Sequence, residues 1–357
     1  MRTRILALVI VAGAIVLGSA CGGNEGDDQA SEGDRAVAPT PGAKLGPPVN
    51  LADVRYWAYQ IQGLENEGAI EALTSSRYDL VVIEPTRTNV GSEDFDTREA
   101  VNRIHASPSS LGDRSKMVLA YLDIGQAEDY RTYWQDDWEP PRAGVRGTPD
   151  FLLSVDPDGW SGNYPVAYWD QRWKDLVIYN EDSLLNLVLE DGFDGIYLDW
   201  VEAFDDVSVI AAAELAGIEP AGEMVAFIRE MRDYVAERHP NFVIVAQNGA
   251  DLVDDHAEYL DVIDGLAQED LSFYGEADTD WDDEASGDIR QNPGYHEYLT
   301  GVLWRYVEVG VPTFCVQYAR EQANVEQALR DAEQVGCVPY VTLTPLDRLT
   351  DTPLLGR

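Results

Sequence analysis

The stretch Gly192-Phe-Asp-Gly-Ile-Tyr-Leu-Asp-Trp200 decides the fold. Gly192 and Phe193 end a helix, Asp194 and Gly195 make a tight turn, and Ile196, Tyr197 and Leu198 start a short buried strand. Asp199 then stands at the C-terminal end of that strand. In a chain that alternates strands with helices, a carboxylate directly after an apolar strand is where an α/β barrel keeps its chemistry. Asp194, at the opposite end, falls on the stability face and reads as structural.

Seven further runs of strand length surround this one: 55–61, 79–84, 117–124, 242–247, 262–268, 312–318 and 338–343. They are close to continuously apolar, as strands of a parallel sheet covered on both faces must be. Between them lie amphipathic segments of helix length at 65–76, 97–106, 169–190, 222–238, 252–260, 294–309 and 321–335. Eight strands alternating with helices predict a single-domain (β/α)8 TIM barrel over residues 51–357. A doubly wound open sheet is the alternative. It usually has fewer strands, and no glycine-rich dinucleotide loop follows the first strand. The chain stops soon after the eighth run, which leaves the last helix short or missing.

The segments ahead of the barrel read differently. Arg2 and Arg4 precede a 14-residue apolar run from Ile5 to Gly18, too short for an ordinary spanning helix. Small residues then lead to Cys21. This resembles a bacterial lipoprotein signal of residues 1–20, in which Cys21 is lipidated and anchors the protein to the outer side of the cell membrane. A plain secreted protein is the alternative. Residues 21–50, rich in Gly, Asp, Glu, Ala and Pro without periodicity, predict a disordered tether with no part in the core. The remaining cysteines, Cys315 and Cys337, fall at mid-strand and at the start of the next strand. That offset predicts two buried thiols rather than a bridge.

Charge excludes one class of partner. The 65 Asp and Glu face 25 Lys and Arg, a net charge of −40, and only Lys44, Lys116 and Lys174 are lysines. Phosphate binding needs clustered cations, so nucleic acid is not a partner. Acids crowd the tether (Glu25, Asp27, Asp28) and helix faces (Glu326, Asp331, Glu333) as well as strand ends. The expectation is therefore a distributed acidic surface suited to salt, with attraction of a cationic ligand as a secondary effect. The acidic run Asp278–Asp288 fails the calcium-loop pattern, with Asp283 where Gly is needed and Ile289 where Glu is needed. No Cys/His metal spacing occurs, and no metal or cofactor is expected.

The strand ends carry the functional reading. They hold Tyr59 and Gln60, Glu84, Asp123 with Glu128 beyond it, Asp199, Gln247 and Asn248, Glu269 and Asp270, and Gln317 and Tyr318. Carboxylates, carboxamides and tyrosines without His, Cys or a lysine base suit sugar hydroxyls and carboxylate acid/base work. Asp199 and Glu269 form the best catalytic pair. Separated by one strand, their backbones are expected about 10 Å apart, close enough for the carboxyl groups to flank a glycosidic bond. Tyr59, Gln60, Glu84, Asp123, Glu128, Asn248, Gln317 and Tyr318 are candidate substrate contacts. The long segment 136–168 adds Trp160 and Tyr164 as stacking platforms for sugar rings. The chitinase-type signature DGxDxDxE is a poor match to 194–202. Tyr197 replaces its middle Asp, and Glu202 falls one residue late, on the wrong strand face.

Five stretches together carry a family resemblance: YQIQG (59–63), AYLDIGQAEDYR (120–131), GFDGIYLDW (192–200), AQNG (246–249) and DGLAQEDLSFYG (264–275). In this order they resemble the endo-α-1,4-polygalactosaminidase family of glycoside hydrolases. Asp123 stands where that family often has Ser, and Gln126 where it often has Glu. The resemblance implies a glycosidase barrel outside the cytoplasm that cleaves internal α-glycosidic bonds of a galactosamine-containing polysaccharide. That substrate is cationic where its amines are free. The family's strand-four Asp and strand-six Glu fall on Asp199 and Glu269. A non-catalytic carbohydrate-binding barrel of the cell envelope is the alternative from another functional class.

Overall fold

All eight apolar runs become strands of one parallel sheet in the computed structural model, which describes residues 45–352. The strands are β1 Trp57–Gln60, β2 Leu80–Ile83, β3 Met117–Asp123, β4 Gly195–Asp199, β5 Val243–Gln247, β6 Gly265–Glu269, β7 Thr313–Tyr318 and β8 Val338–Thr342. Each pairs with its sequence neighbour, so the order round the sheet is the order along the chain. The sheet is nearly closed. At the seam between β8 and β1 the Trp57 indole N–H donates to the Val338 carbonyl at 2.9 Å. Above it the backbone N–H groups of Ile61 and Gln62 both reach Leu346 O at 3.1 Å. This is a (β/α)8-type barrel.

Aromatic rings fill its interior. Trp57 lies 5.5 Å from Phe314, 5.9 Å from Tyr340 and 6.0 Å from Tyr197, and Tyr59 lies 5.1 Å from Tyr197. Successive side chains of a strand point to opposite faces. Tyr197 inside the barrel therefore puts Asp199 on the same interior face, one layer higher. Gly195 is the first residue of β4 rather than part of a turn, and a β-carbon there would collide with the backbone oxygen of Val243. Gly192 closes the preceding helix in the left-handed conformation at φ 81°, as expected of a helix end.

The outer layer holds helices α1 Ala69–Ser75, α2 Thr97–His105, α3 Leu184–Asp191, α4 Val207–Ala216, α5 Pro220–Ala236, α6 Pro293–Glu308 and α7 Gln322–Val335. Their starts follow local chemistry. Glu219 before Pro220 accepts from Ala221 N and Gly222 N, and Asn292 before Pro293 accepts from Gly294 N and Tyr295 N. The segment 169–190 is not one helix. A short turn (Gln171–Lys174) runs into a π-turn (Asp175–Tyr179), and Ser183 starts α3 afresh by capping Asn186 N at 3.3 Å. Residues 252–260 form two 3₁₀ turns, Ala250–Asp254 and Ala257–Asp261, instead of a helix. Helix α4 was absent from the sequence reading. No helix follows β8 among the described residues.

Two further expectations are corrected. Residues 46–50, placed in the tether, are part of the fold. Gly46–Pro48 pair with Arg114–Ser115, and Val49 is buried in the core. Cys315 and Cys337 form a disulfide, not two thiols. Cys315 lies on β7 and Cys337 immediately precedes the adjacent β8; the register sets Cys315 opposite Pro339, so Cys337 is a diagonal neighbour with a Cα–Cα distance of 5.8 Å. A bridge closing a loop of that 22-residue separation stabilises by about 3 kcal/mol. Asp194 is structural as expected, accepting from Val118 N and bonding His105 Nε2, both at 2.8 Å. Residues 1–44, with the signal and Cys21, lie outside the described residues.

Candidate active site

Three successive strands end in the same way. Asp199, Gln247 and Glu269 are the last residues of β4, β5 and β6. Each is followed by a residue in the left-handed region: Trp200 (φ 56°), Asn248 (φ 60°) and Asp270 (φ 59°). Asp and Asn visit that region readily, while a Trp there is uncommon and costs about 1–2 kcal/mol. The sharp exit leaves each strand-end side chain in the interior layer and turns its successor onto the barrel mouth.

The mouth is a cleft of about 690 Å³ walled by loops after seven of the eight strands. Nine carboxylates line it: Glu65, Glu84, Asp158, Asp199, Glu202, Glu269, Asp270, Glu276 and Asp278. No Lys, Arg or His lines it among the described residues. The sequence suggested acids spread evenly over the surface; the mouth has a concentration of its own.

Gln247 ties the central pair together. Its Nε2 donates to Asp199 Oδ1 at 2.6 Å and to Glu269 Oε2 at 2.7 Å. The two oxygens share one nitrogen, so those bonds laid end to end cap their separation at about 5.3 Å. Carboxyl groups about 5–5.5 Å apart are the spacing of retaining glycosidases, whereas inverting ones leave about 6.5–9.5 Å for a water.

The two groups differ in their surroundings. Asp199 accepts from Tyr121 OH at 2.7 Å and Trp200 N at 2.8 Å besides Gln247. Burial raises its pKa, and these donors oppose the rise by favouring the ionised form. Glu269 is held well above the usual carboxylate range, first by burial and then by the charges of Asp199 and Asp270, although Tyr318 OH donates to it. Like charges this close do not both ionise readily. The arrangement keeps the proton on Glu269 and the charge on Asp199.

Seven of the twelve sequence-selected site residues reach the cleft wall: Asp199, Glu269, Tyr59, Glu84, Trp160, Asn248 and Tyr318. Five do not. Gln317, opposite in parity to Tyr318, points into the helix layer, accepting from Ser272 N and donating to Ala328 O, both at 2.9 Å. Gln60, opposite in parity to Tyr59, donates to the carbonyls of Gln62 and Asp347 at 3.2 Å. Asp123 is buried and turned back on Gly125 N and Gln126 N at 3.1 and 2.8 Å. Glu128 is buried beneath the wall in an ion pair with Arg131, which also holds Glu84. Tyr164 packs 5.5 Å from Trp134 and donates to Asp129 at 2.9 Å, so it fastens the long loop rather than offering a platform.

Trp160 keeps its place at the mouth because Asp156 Oδ1 accepts from the backbone N–H of Asp158, Gly159 and Trp160 at 2.8, 2.6 and 2.9 Å. Ser161 N then donates to Asp278 Oδ2 at 3.1 Å, so the loop after β3 meets the loop after β6 above the cleft.

Sequence reasoning missed Tyr121 and Asp158 on the wall, and left Asp270, noted as a strand end, and Glu202 out of the site. Glu202 was set aside on strand parity, but β4 ends at Asp199, so parity no longer applies. It lies on the 3₁₀ turn Val201–Asp205 and accepts from Asn248 Nδ2 at 2.8 Å. Its pKa rises from 4.5 to about 8, through burial and then the Asp199 charge. A folded-state pKa above the unfolded one gives stability that is complete below the unfolded value and lost as pH rises through the folded value. Folding stability is thus expected to fall between about pH 4.5 and 8. Glu202→Gln keeps the Asn248 contact and flattens that slope in thermal melts against pH. An unchanged slope in this variant excludes Glu202 as its source.

The chain resembles known proteins over most of its length. It is 30% identical over 339 residues to an uncharacterised protein of Deinococcus radiodurans, covering 94% of this chain and 96% of that one. It is 30% identical over 291 residues to an uncharacterised protein of Methanocaldococcus jannaschii, covering 80% and 74%. In fold it is similar to the glycoside hydrolase domain of PelA from Pseudomonas aeruginosa, with TM-score 0.55, 15% identity, and coverage of 83% and 97%. It is also similar to Aspergillus fumigatus Ega3, solved in complex with galactosamine, with TM-score 0.54, 13% identity, and coverage of 82% and 93%. The family model for glycoside-hydrolase family GH114 matches residues 35–354. Over a (β/α)8-type barrel with a carboxylate pair in an acidic mouth, that match establishes that the chain belongs to glycoside-hydrolase family GH114 and is a glycosidic-bond-cleaving enzyme.

Proposed function

We propose that this enzyme cleaves internal α-glycosidic bonds of a galactosamine-containing polysaccharide by double displacement, with Asp199 as nucleophile and Glu269 as general acid and base. The observation that carries the mechanism is the amide of Gln247 bonded to both carboxyl groups, which keeps their facing oxygens within about 5.3 Å and so favours the closer, retaining spacing over the inverting one. Glu269 protonates the glycosidic oxygen as Asp199 Oδ forms a bond to the anomeric carbon. The bond to the leaving sugar breaks, and its electrons stay with the protonated oxygen. Water then attacks the anomeric carbon while Glu269, now a carboxylate, takes the water proton. Asp199 leaves with its bonding pair.

The cleft wall supports an amino-sugar substrate. The acidic wall, with Glu65, Glu276 and Asp278 among its carboxyl groups and no lining cation among the described residues, favours a polymer carrying free ammonium groups. The galactosamine bound to Ega3, a protein of similar fold, points the same way. The resemblance of residues 1–20 to a lipoprotein signal supports an enzyme outside the cytoplasm, anchored through a lipid on Cys21, and the Cys315–Cys337 disulfide suits such an oxidising compartment.

The test is digestion of partly de-N-acetylated polygalactosamine by the purified protein, with products sized and the anomer followed by NMR. A ladder of oligomers formed early, carrying the α-anomer first, is expected. Initial release of the β-anomer overturns double displacement. Binding without turnover shows a carbohydrate-binding barrel instead.

A further inference from the structure

We infer that Gln247 is a positioning residue shared by the two catalytic carboxyl groups, and that the Tyr197 hydroxyl fixes which way its carboxamide faces. The inference rests on the double-displacement reading above.

A carboxamide has donors on one side and an acceptor on the other in nearly the same shape, so its orientation must be set by its neighbours. Here the Nε2 side meets Asp199 and Glu269, while Oε1 accepts from Tyr197 OH at 2.6 Å. A flipped amide would set its carbonyl oxygen between two carboxyl groups. Tyr197 prevents this because its own place is fixed. It is 1% exposed, and its ring lies 5.1 Å from Tyr59 and 6.0 Å from Trp57. Gln247 is equally buried, and neither residue lines the cleft. They act on the reaction through the carboxyl groups, not by touching substrate.

The reaction gives this arrangement a purpose. In the first step Asp199 gives up its charge to the new C–O bond, and Glu269 gains a charge as it loses its proton. The second step reverses both changes. Negative charge therefore passes from one carboxyl group to the other and back, and both ends of that path are bonded to the same NH2 group. A donor oriented in advance at both ends stabilises each charge state without reorganising.

Tyr197→Phe removes one oxygen and keeps the ring. It is expected to lower kcat about 10-fold with KM within about 2-fold, the scale of one oriented donor lost at a buried charge. Both limbs of the pH profile should move to higher pH, because each carboxyl group loses support for its ionised form. Gln247→Met is expected to lower kcat about 100-fold, and the Tyr197→Phe/Gln247→Met double variant should be no slower than Gln247→Met alone. Thermal melts check folding, and Tyr197→Phe carries the test where Gln247→Met does not fold.

Costs that multiply in the double variant overturn the inference. So does a loss of kcat in Tyr197→Phe with both pH limbs unmoved, or a Tyr197→Phe variant as fast as the parent. Asp199→Asn and Glu269→Gln run alongside separate the two levels. If these are inactive while Tyr197→Phe is unaffected, only the positioning role falls. If either retains full rate, the double-displacement reading itself falls.

Discussion

Asp199→Asn and Glu269→Gln should each lower kcat by about 10²–10⁴-fold with the fold intact, the range over which acid/base help is lost. Both substitutions are nearly isosteric and keep an oxygen for the surrounding donors. The two variants should then part company on substrate chemistry. A sugar carrying a good leaving group, such as a nitrophenyl glycoside, needs no proton from Glu269 in the first step, so Glu269→Gln should recover much of its loss in kcat/KM there, while the second step, which needs Glu269 as base, stays slow. Asp199→Asn should not, because bond formation at the anomeric carbon is needed whatever departs.

The pH dependence follows with its sign. In the proposed mechanism the active form has Asp199 ionised and Glu269 protonated, so activity is expected to rise as Asp199 loses its proton and to fall as Glu269 does. Burial raises the first limb above the ordinary aspartate range, and burial with the charges of Asp199 and Asp270 raises the second well above the ordinary glutamate range. The bell is therefore displaced upward from the usual carboxylate range. Glu269→Gln should erase the upper limb with activated substrates. Retention of that limb would reassign the acid to another group.

The strands and the two carboxyl groups that meet at the mouth were legible in the sequence for one physical reason. Strands covered on both faces are apolar at every position, so each ends visibly where Glu84, Asp199, Gln247 or Glu269 stands. Parity was legible too, yet it was not applied at every end. Tyr318 and Tyr59 face the mouth, so Gln317 and Gln60 had to face away. Loop chemistry was harder. Nothing local separates Trp160, held at the mouth by the Asp156 turn, from Tyr164, which turns inward onto Trp134. Gln247 was seen as a strand end but left out of the site, because its role exists only once β4 and β6 stand on either side of it. The disulfide was missed for a related reason: it depends on the register between β7 and β8, which sequence separation does not give.

On a de-N-acetylated, cationic polymer, kcat/KM should fall about 10²-fold between about 0.01 M and 0.5 M salt, while kcat stays nearly constant. Clefts of one sign with low-dielectric walls raise encounter rates by about 10–10³. Salt contracts the reach of that field from about 30 Å at 0.01 M to under about 8 Å above 0.15 M. The net charge of −40 alone would attract any cation to any part of the surface. Two comparisons isolate the mouth. The fully N-acetylated polymer is neutral and should show almost no slope. Glu276→Gln with Asp278→Asn, on the cleft wall, should flatten the slope for the cationic polymer. Glu333→Gln, exposed on α7, should leave it unchanged. Equal slopes for the two polymers would show that the acids at the mouth do not select for free amines. Equal effects of wall and helix substitutions would return the attraction to the surface as a whole. In that second case the acid surplus serves solvation in salt, and folding stability should rise rather than fall as the salt concentration approaches the molar range.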